Sequence, residues 1–437
     1  MDTASFSRLR RQPGYPLFYA TATITRFADD MFSVGAVLLV LERTGSAALA
    51  GATIAAVTFP SVVTGPILGA WLDRSGNRRR IMILDQVLAA TTIVAIVLLA
   101  GHVPNWVLPL IGLGAGITWP LSFGGFTSFI PVIVPEDLLP RANALEATSF
   151  NLAIIMGPAL AGTISALAGP STSLLVEAGL TYAAIGMIAS IRALDKAPGH
   201  DDRRPLLEIA RSGVRHIVSV PQLRSVTAAG ALSLGGLGLL TVAFPFFAVD
   251  ALGEGRSAAG YLWAAFAAGS TVGALVVVRL QSRWRPDRVV LAAIATLGCL
   301  MLLWPLAGAL VPALCLIALA GVADGPGFAA TFTVRQLWTP RELHGQVFTT
   351  AASLKVGAYS MGAAVAGFAV VSLGARGTLL LAAGVQFAAV TAGLVLRRSR
   401  RREHIVAPAA LDLEQDERVD HEHERERDRP AVQVSLD

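Results

Sequence analysis

The sequence predicts an all-α polytopic membrane protein, with twelve transmembrane helices in two pseudo-symmetric six-helix halves. Three observations carry this. Apolar runs of membrane-spanning length recur from Tyr15 to Leu396, and about twenty such residues suffice to cross a bilayer. Only 15% of the 437 residues are charged, against about 25% in soluble domains, and the mean hydropathy is +0.61. The third is an internal repeat. IGLGAGITWP (Ile111–Pro120) aligns with IALAGVADGP (Ile317–Pro326), MGPALAG (Met156–Gly162) with MGAAVAG (Met361–Gly367), and VPEDL (Val134–Leu138) with TPREL (Thr339–Leu343), each pair 205 or 206 residues apart. A β-barrel would instead show ten-residue alternating segments.

The spans read as 16–41, 47–72, 80–101, 105–131, 142–168, 171–192, 223–250, 257–280, 288–308, 310–337, 343–373 and 376–397. No cleavable signal peptide is read, because the first run lacks a small-residue cleavage site and is interrupted by Arg26, Asp29 and Asp30. Arginines crowd alternate links, including Arg8 to Arg11, Arg74 to Arg80 and Arg397 to Arg402, whereas the opposite links hold only Arg43, Arg256 and Arg376. Positive residues mark the cytoplasm. Both termini are therefore expected inside a plasma (inner) membrane. The net charge of +5 belongs to this asymmetry and implies no nucleic-acid partner.

Residues 1–192 form the expected N-terminal half and 223–397 the C-terminal half. The link 193–222 opens with the polar DKAPGHDDRRP and continues as LLEIARSGVRHIV. There Leu206, Ile209, Val214 and Ile217 share a face, which reads as an amphipathic helix on the inner membrane surface. The tail 398–437 is mixed in charge, without apolar periodicity, and reads as disordered. Cys299 and Cys315 lie inside apolar runs and read as small core residues. No metal or cofactor is implied. Phosphate-loop, His-Glu-x-x-His, Cys-x-x-Cys and Gly-x-Ser-x-Gly patterns are absent from the sequence, and an enzyme is not expected.

Ionisable residues inside the runs carry the information. Each charge at the bilayer centre costs about 2.5–3.5 kcal/mol on insertion scales, so three on one lipid-facing helix would cost roughly 8 kcal/mol or more. Arg26, Asp29 and Asp30 stand at i, i+3 and i+4 and share a face. Arg26 can neutralise one aspartate, leaving one carboxylate for protons or a cationic substrate; the alternative is a salt bridge pinning the first span to a neighbour. Asp324, within VADGPG of the tenth span, is a cavity carboxylate or a locally paired one. Lys355 needs a partner from another helix, either Asp324 or an aspartate of the first span. Glu146 is expected at the cytoplasmic gate, Asp85 beside the basic link, and Glu177 and Asp250 in outer solvent.

GAWLDRSGNRRRI (Gly69–Ile81) resembles the signature between the second and third spans of the major facilitator superfamily, with Gly69, Asp73, Arg74, Gly76, Arg78 and Ile81 matching. Trp71 and Asn77 depart from it, and RLQSRWRPDR (Arg279–Arg288) is a weaker second copy. GPALAG resembles the motif of drug:proton antiporters of that superfamily through Gly157, Pro158 and Gly162. Together with RFADDMFSVG and LPRANAL, it is similar to the twelve-span efflux branch that includes macrolide and enterobactin exporters.

The resemblance covers about residues 10–400. It implies the superfamily fold, alternating access, and a cavity built mainly from the first, fourth, seventh and tenth spans. It also implies that Asp73 braces the cytoplasmic gate. Trp119, Phe123, Phe244, Phe246 and Phe328 would line that cavity or serve as plain helix packing. The fourth span, LIGLGAGITWPLSFGGF, lacks the arginine of many such antiporters, so any proton relay must use other residues. The expected function is export of small amphipathic organic compounds, drugs or secondary metabolites, by proton antiport. The partners are a small-molecule substrate, protons and membrane lipid, and the chain is expected to be a monomer. The alternatives are an importer or uniporter for a nutrient or siderophore, or a non-transporting receptor.

Overall fold

The computed structural model describes residues 8–75, 77–122, 126–135, 138–191, 206–277, 284–340 and 343–397. These residues form helices and short connections. Helix α1 (Tyr15–Thr44) carries Pro16 in its first turn, where the missing N–H is no loss. It stops at Gly45, whose φ of 67° places it in the left-handed region while its N–H returns to the Leu41 carbonyl.

The expected second span is two helices, α2 (Ala47–Thr58) and α3 (Ser61–Arg74), on either side of Pro60. Ser46 caps α2 by accepting from the Leu49 N–H at 3.1 Å. Then follow α4 (Arg78–Leu99), α5 (Val107–Pro120), α6 (Phe126–Ile133), α7 (Leu139–Ala168) and α8 (Pro170–Ser190). Helix α9 (Leu206–Ser219) lies in the central link. Beyond it come α10 (Pro221–Gly238), α11 (Leu240–Asp250), α12 (Ala259–Val277), α13 (Pro286–Met301), α14 (Leu310–Leu337) and α15 (His344–Arg397). Gly374, with φ 71° and ψ 175°, interrupts α15.

Nine helical stretches among the described residues are long and apolar enough to cross a membrane. The last of them, Gln346–Arg397, contains the break at Gly374. Helix α1 stands outside this set although it has 30 residues, and it holds Arg26, Asp29 and Asp30. The 14-residue α5 is apolar but shorter.

Helices from the two parts of the chain meet along two seams, α2 and α3 on α15, and α7 on α12. At the second seam a Cβ on Gly260 would fall against the Pro158 carbonyl oxygen and 2.9 Å from the Gly162 Cα. Only a bare Cα permits that approach. The largest apolar cluster runs from Phe32 and Leu39 of α1 through Phe244 and Phe247 of α11 to Trp304.

Two expectations change here. Cys299 and Cys315 are free but exposed, not core residues. A helix surface facing lipid is as apolar as a core, so hydropathy cannot separate the two environments. Helix α9 does not simply lie on a membrane surface. Its Ile217 is buried against Val347 and Ala351 of α15, its Gly213 abuts the Gln346 backbone, and its Val214 is exposed. The Leu206 and Ile209 side chains, the start of the link and the tail lie outside the described residues.

Gly260→Leu is expected to remove most of the monodisperse peak in fluorescence-detected size-exclusion chromatography. Gly384→Leu, at a position with nothing within 4 Å of the added Cβ, leaves it intact. Equal behaviour of the two variants would contradict the seam.

Candidate functional site

Helix α1 brings Arg26, Asp29 and Asp30 into the helix bundle. Arg26 is 1% exposed. Its Nη2 forms an ion pair with Glu146 of α7, and its Nη1 donates to Ser149 Oγ at 3.0 Å. Ser149 Oγ in turn donates to Thr23 Oγ1 at 3.0 Å, and the Phe150 ring lies 4.0 Å from the guanidinium carbon. Charge, hydrogen bonds and an aromatic face thus satisfy a cation that lipid would not.

Of the two readings of Arg26, pairing within α1 or a salt bridge pinning α1 to a neighbour, the second is the one seen, with Glu146 as the partner. Seen along one helix, Arg26 has only Asp29 and Asp30 within reach. The close packing of α7 on α1 supplies a carboxylate opposite the guanidinium fork instead. Among the described residues no ion pair neutralises Asp29 or Asp30, and both keep partial exposure.

The antiporter-like motif lies against this group. A Cβ on Gly157 would sit 2.6 Å from the Asp30 Cβ, so glycine there makes room for the aspartate. From the other side Tyr359 of α15 faces Ser33 and Asp30. About one turn beyond Asp30, a small cavity is lined by Ser33, Val37, Thr241, Pro245 and Trp263.

Two further carboxylates stand close enough for the charge of Asp29 to act on them, Asp85 of α4 and Glu177 of α8. Asp85 is 2% exposed and accepts from Ser122 Oγ at 2.8 Å and Gln86 Nε2 at 3.0 Å, not from the basic link. Glu177 is also 2% exposed, not solvated, and its Oε2 has no hydrogen-bond partner. Asp250 is exposed. The available signal for Asp85 and Glu177 was an acid inside an apolar run. Their nearness to a span end disguised it, because depth along a tilted helix does not follow residue count.

In the C-terminal part, Asp324 of α14 and Lys355 of α15 act on one another's charge, and Asp324 also bonds Ser270. The Lys355 Nζ lies 3.3 Å from where a Gly230 Cβ would stand.

The expected cavity aromatics diverge. Trp119 packs edge-on to Phe32 at 6.0 Å. Phe244 is fully enclosed between Trp263 and Trp304, which is helix packing. Phe246 lies under Arg256 at 5.3 Å, and Phe328 is 50% exposed beside Phe332. Phe123 lies outside the described residues, as do Gly76 and the surroundings of Gly69, Asp73 and Arg74. Arg78 opens α4, is 5% exposed and stands 5.8 Å from the Phe129 ring.

Known proteins share this architecture. A family model described as transmembrane secretion effector matches residues 3–437. The uncharacterised MFS-type transporter y4rN of Sinorhizobium fredii is 29% identical over 83% of this chain and 90% of its own length. The multidrug efflux pump Tap of Mycolicibacterium fortuitum is 29% identical over 78% of this chain and 85% of its own. The crystal structure of a bacterial homologue of the human lysosomal transporter Spinster, inward-facing and unoccupied, aligns with a TM-score of 0.69. It is 16% identical and covers 91% of this chain and 98% of its own.

Glu146→Gln would take from the buried Arg26 guanidinium its one direct ion-pair partner among the described residues, leaving only the more distant charge of Asp29 and Asp30. The expected loss is about 3–5 kcal/mol of stability, read as a lower thermal midpoint in detergent. A double change of Arg26 and Glu146 to leucine should restore much of it. If the double variant is as unstable as the single one, the ion pair is not the source.

Proposed function

We propose an export function from one premise, that the chain belongs to the transmembrane secretion effector family of MFS-type transporters. In this reading it carries small amphipathic organic compounds out across the inner membrane by alternating access, in exchange for protons. The observation that carries the reading is the aspartate pair on α1. With Arg26 ion-paired to Glu146, Asp29 and Asp30 have no ion pair of their own among the described residues and share only the residual pull of that guanidinium.

A carboxylate so placed is useful because it has two occupants. A proton neutralises it, and so does the cationic group of a substrate. One occupant excludes the other, which is the linkage an antiporter requires. Asp30 is the better placed of the two. It touches α7 through Gly157 and faces Tyr359 of α15, so its charge state bears on contacts between the two parts of the chain. The efflux function of the relative Tap supports the outward direction.

The span count of twelve, the division into halves at 193–222 and the cytoplasmic termini belong to this proposal. Its support is the repeat, the arginine asymmetry and the break at Gly374, which makes two spans of α15. The chain acts as a monomer. Asp73 at the end of α3 serves the cytoplasmic gate and lies outside the substrate path.

In proteoliposomes with an imposed proton gradient, Asp30→Asn is expected to slow transport of a fluorescent cationic dye at least about tenfold, the loss of one positioned charge interaction. Asp29→Asn should weaken it less. Normal, gradient-driven transport by both variants would remove the proton site, and dye entry instead of exit in everted vesicles would reverse the direction. Asp73→Asn should slow transport while dye affinity stays the same; an equal loss of affinity would place Asp73 at the substrate.

A further inference from the structure

Arg335, near the end of α14, is 4% exposed, and its Nε and Nη2 have no hydrogen-bond partner. A guanidinium does not give up its charge in a protein, and each N–H it carries seeks an acceptor. No ion pair reaches it among the described residues. The acid on its own helix, Asp324, is eleven residues away, about 16 Å along the axis, and is engaged with Lys355 and Ser270. Lys355 adds a second cation whose charge Arg335 feels. Among the described residues two cations thus act on this region with one carboxylate.

The surroundings describe the missing group further. The Phe348 ring stands 5.6 Å from the Arg335 guanidinium carbon, and Phe332 follows at 6.1 Å from Phe348. Phe328 lies 5.3 Å beyond Phe332, in an edge-on contact. Phe328, Phe332 and Arg335 stand at i, i+4 and i+7, on one stripe of α14. Phe328 is 50% and Phe332 40% exposed. The stripe therefore begins as an accessible aromatic track and ends on an unmatched cation.

We propose that this stripe binds an amphipathic oxyanion, with its carboxylate or phosphate on Arg335 and its apolar body along Phe332 and Phe328. Two planar oxygens suit the guanidinium fork, which lysine cannot match bidentately. The oxyanion belongs either to a transported organic acid or to the headgroup of a membrane lipid. The inference concerns binding, and it survives if the proton coupling proposed above does not.

The test uses the full chain in phosphatidylcholine nanodiscs. One arm adds 1-naphthylacetate, with the neutral 1-naphthylacetamide as control; the other replaces part of the phosphatidylcholine by phosphatidylglycerol. Thermal unfolding and, for the soluble probe, a binding titration are read. The expected result is stabilisation by one of the two anions and none by the amide. Stabilisation by naphthylacetate identifies a soluble acid, and stabilisation by phosphatidylglycerol identifies a lipid.

Arg335→Gln should abolish the response or raise the naphthylacetate Kd about tenfold or more, while Arg335→Lys should retain part of it. If Arg335→Gln does not fold, Phe332→Ala should still weaken the response, because Phe332 carries the apolar body of the ligand in this proposal. Three results would overturn the proposal: neither anion stabilises the wild-type chain, Arg335→Gln responds like wild type, or Glu342→Gln abolishes the response as Arg335→Gln does. The last would mean that Glu342 is the counter-ion of Arg335.

Discussion

The ion pair of Arg26 with Glu146 is the constraint around which the other buried charges are arranged. A guanidinium inside a bilayer must be matched, and α7 supplies the match from across the helix seam. Once that pair is made, the acids of α1 form no ion pair among the described residues and feel the guanidinium only at a distance. The part of the molecule around α1, α4 and α8 then carries Asp29, Asp30, Asp85 and Glu177 in excess. The seam of α14 and α15 carries the opposite imbalance, with Arg335 and Lys355 against Asp324. A carrier for compounds with a charged end needs such unmatched groups, because a fully paired interior offers a ligand nothing to complete.

Small residues decide where these charges stand. Gly157 lets α7 approach the Asp30 stalk, and Gly162 with Gly260 lets the same helix approach α12. The two contacts are five residues apart, about 7.5 Å along α7. One short piece of helix therefore touches both the candidate coupling carboxylate and the seam joining the two parts of the chain. Pro158 between them removes a backbone hydrogen bond from the helix. This gives the motif a physical content beyond its resemblance: it brings a charge and an interface into the same few turns.

Helices and most breaks were legible in the sequence because they depend on local chemistry. Apolar length, Gly45 and the turn at Gly374 each act within a few residues, whereas the break at Pro60 fell inside a span read as continuous from 47 to 72. The importance of Arg26, Asp29, Asp30, Asp324 and Lys355 was legible for the same reason, as a charge in an apolar run is costly wherever it points. Asp324 was one of the two partners the sequence offered for Lys355, and the two act on one another's charge; the partner of Arg26 was not legible. For Arg26 the sequence offered pairing within its helix or a salt bridge to an unnamed neighbour, because i, i+3 and i+4 are the only partners a single helix identifies. Glu146 lies 120 residues further on, and only the packing of α1 on α7 makes them neighbours. Phe244 stayed open between cavity and packing, and Cys299 was misread as core, for a related reason: the sequence cannot say whether an apolar residue meets another helix, a cavity or lipid.

The sequence by itself determined the membrane class, the helical periodicity, the internal repeat and the set of residues too polar to face lipid. All of these follow from comparing each residue with hydrocarbon. The tertiary structure alone decided which of those polar residues neutralise one another and which are left over. That depends on crossing points between helices, set by where glycine allows backbones to touch, and a sequence does not state which helices cross. Arg26 and Arg335 make the contrast plain. Both are arginines in apolar runs, and among the described residues one meets a carboxylate across a seam while the other meets none.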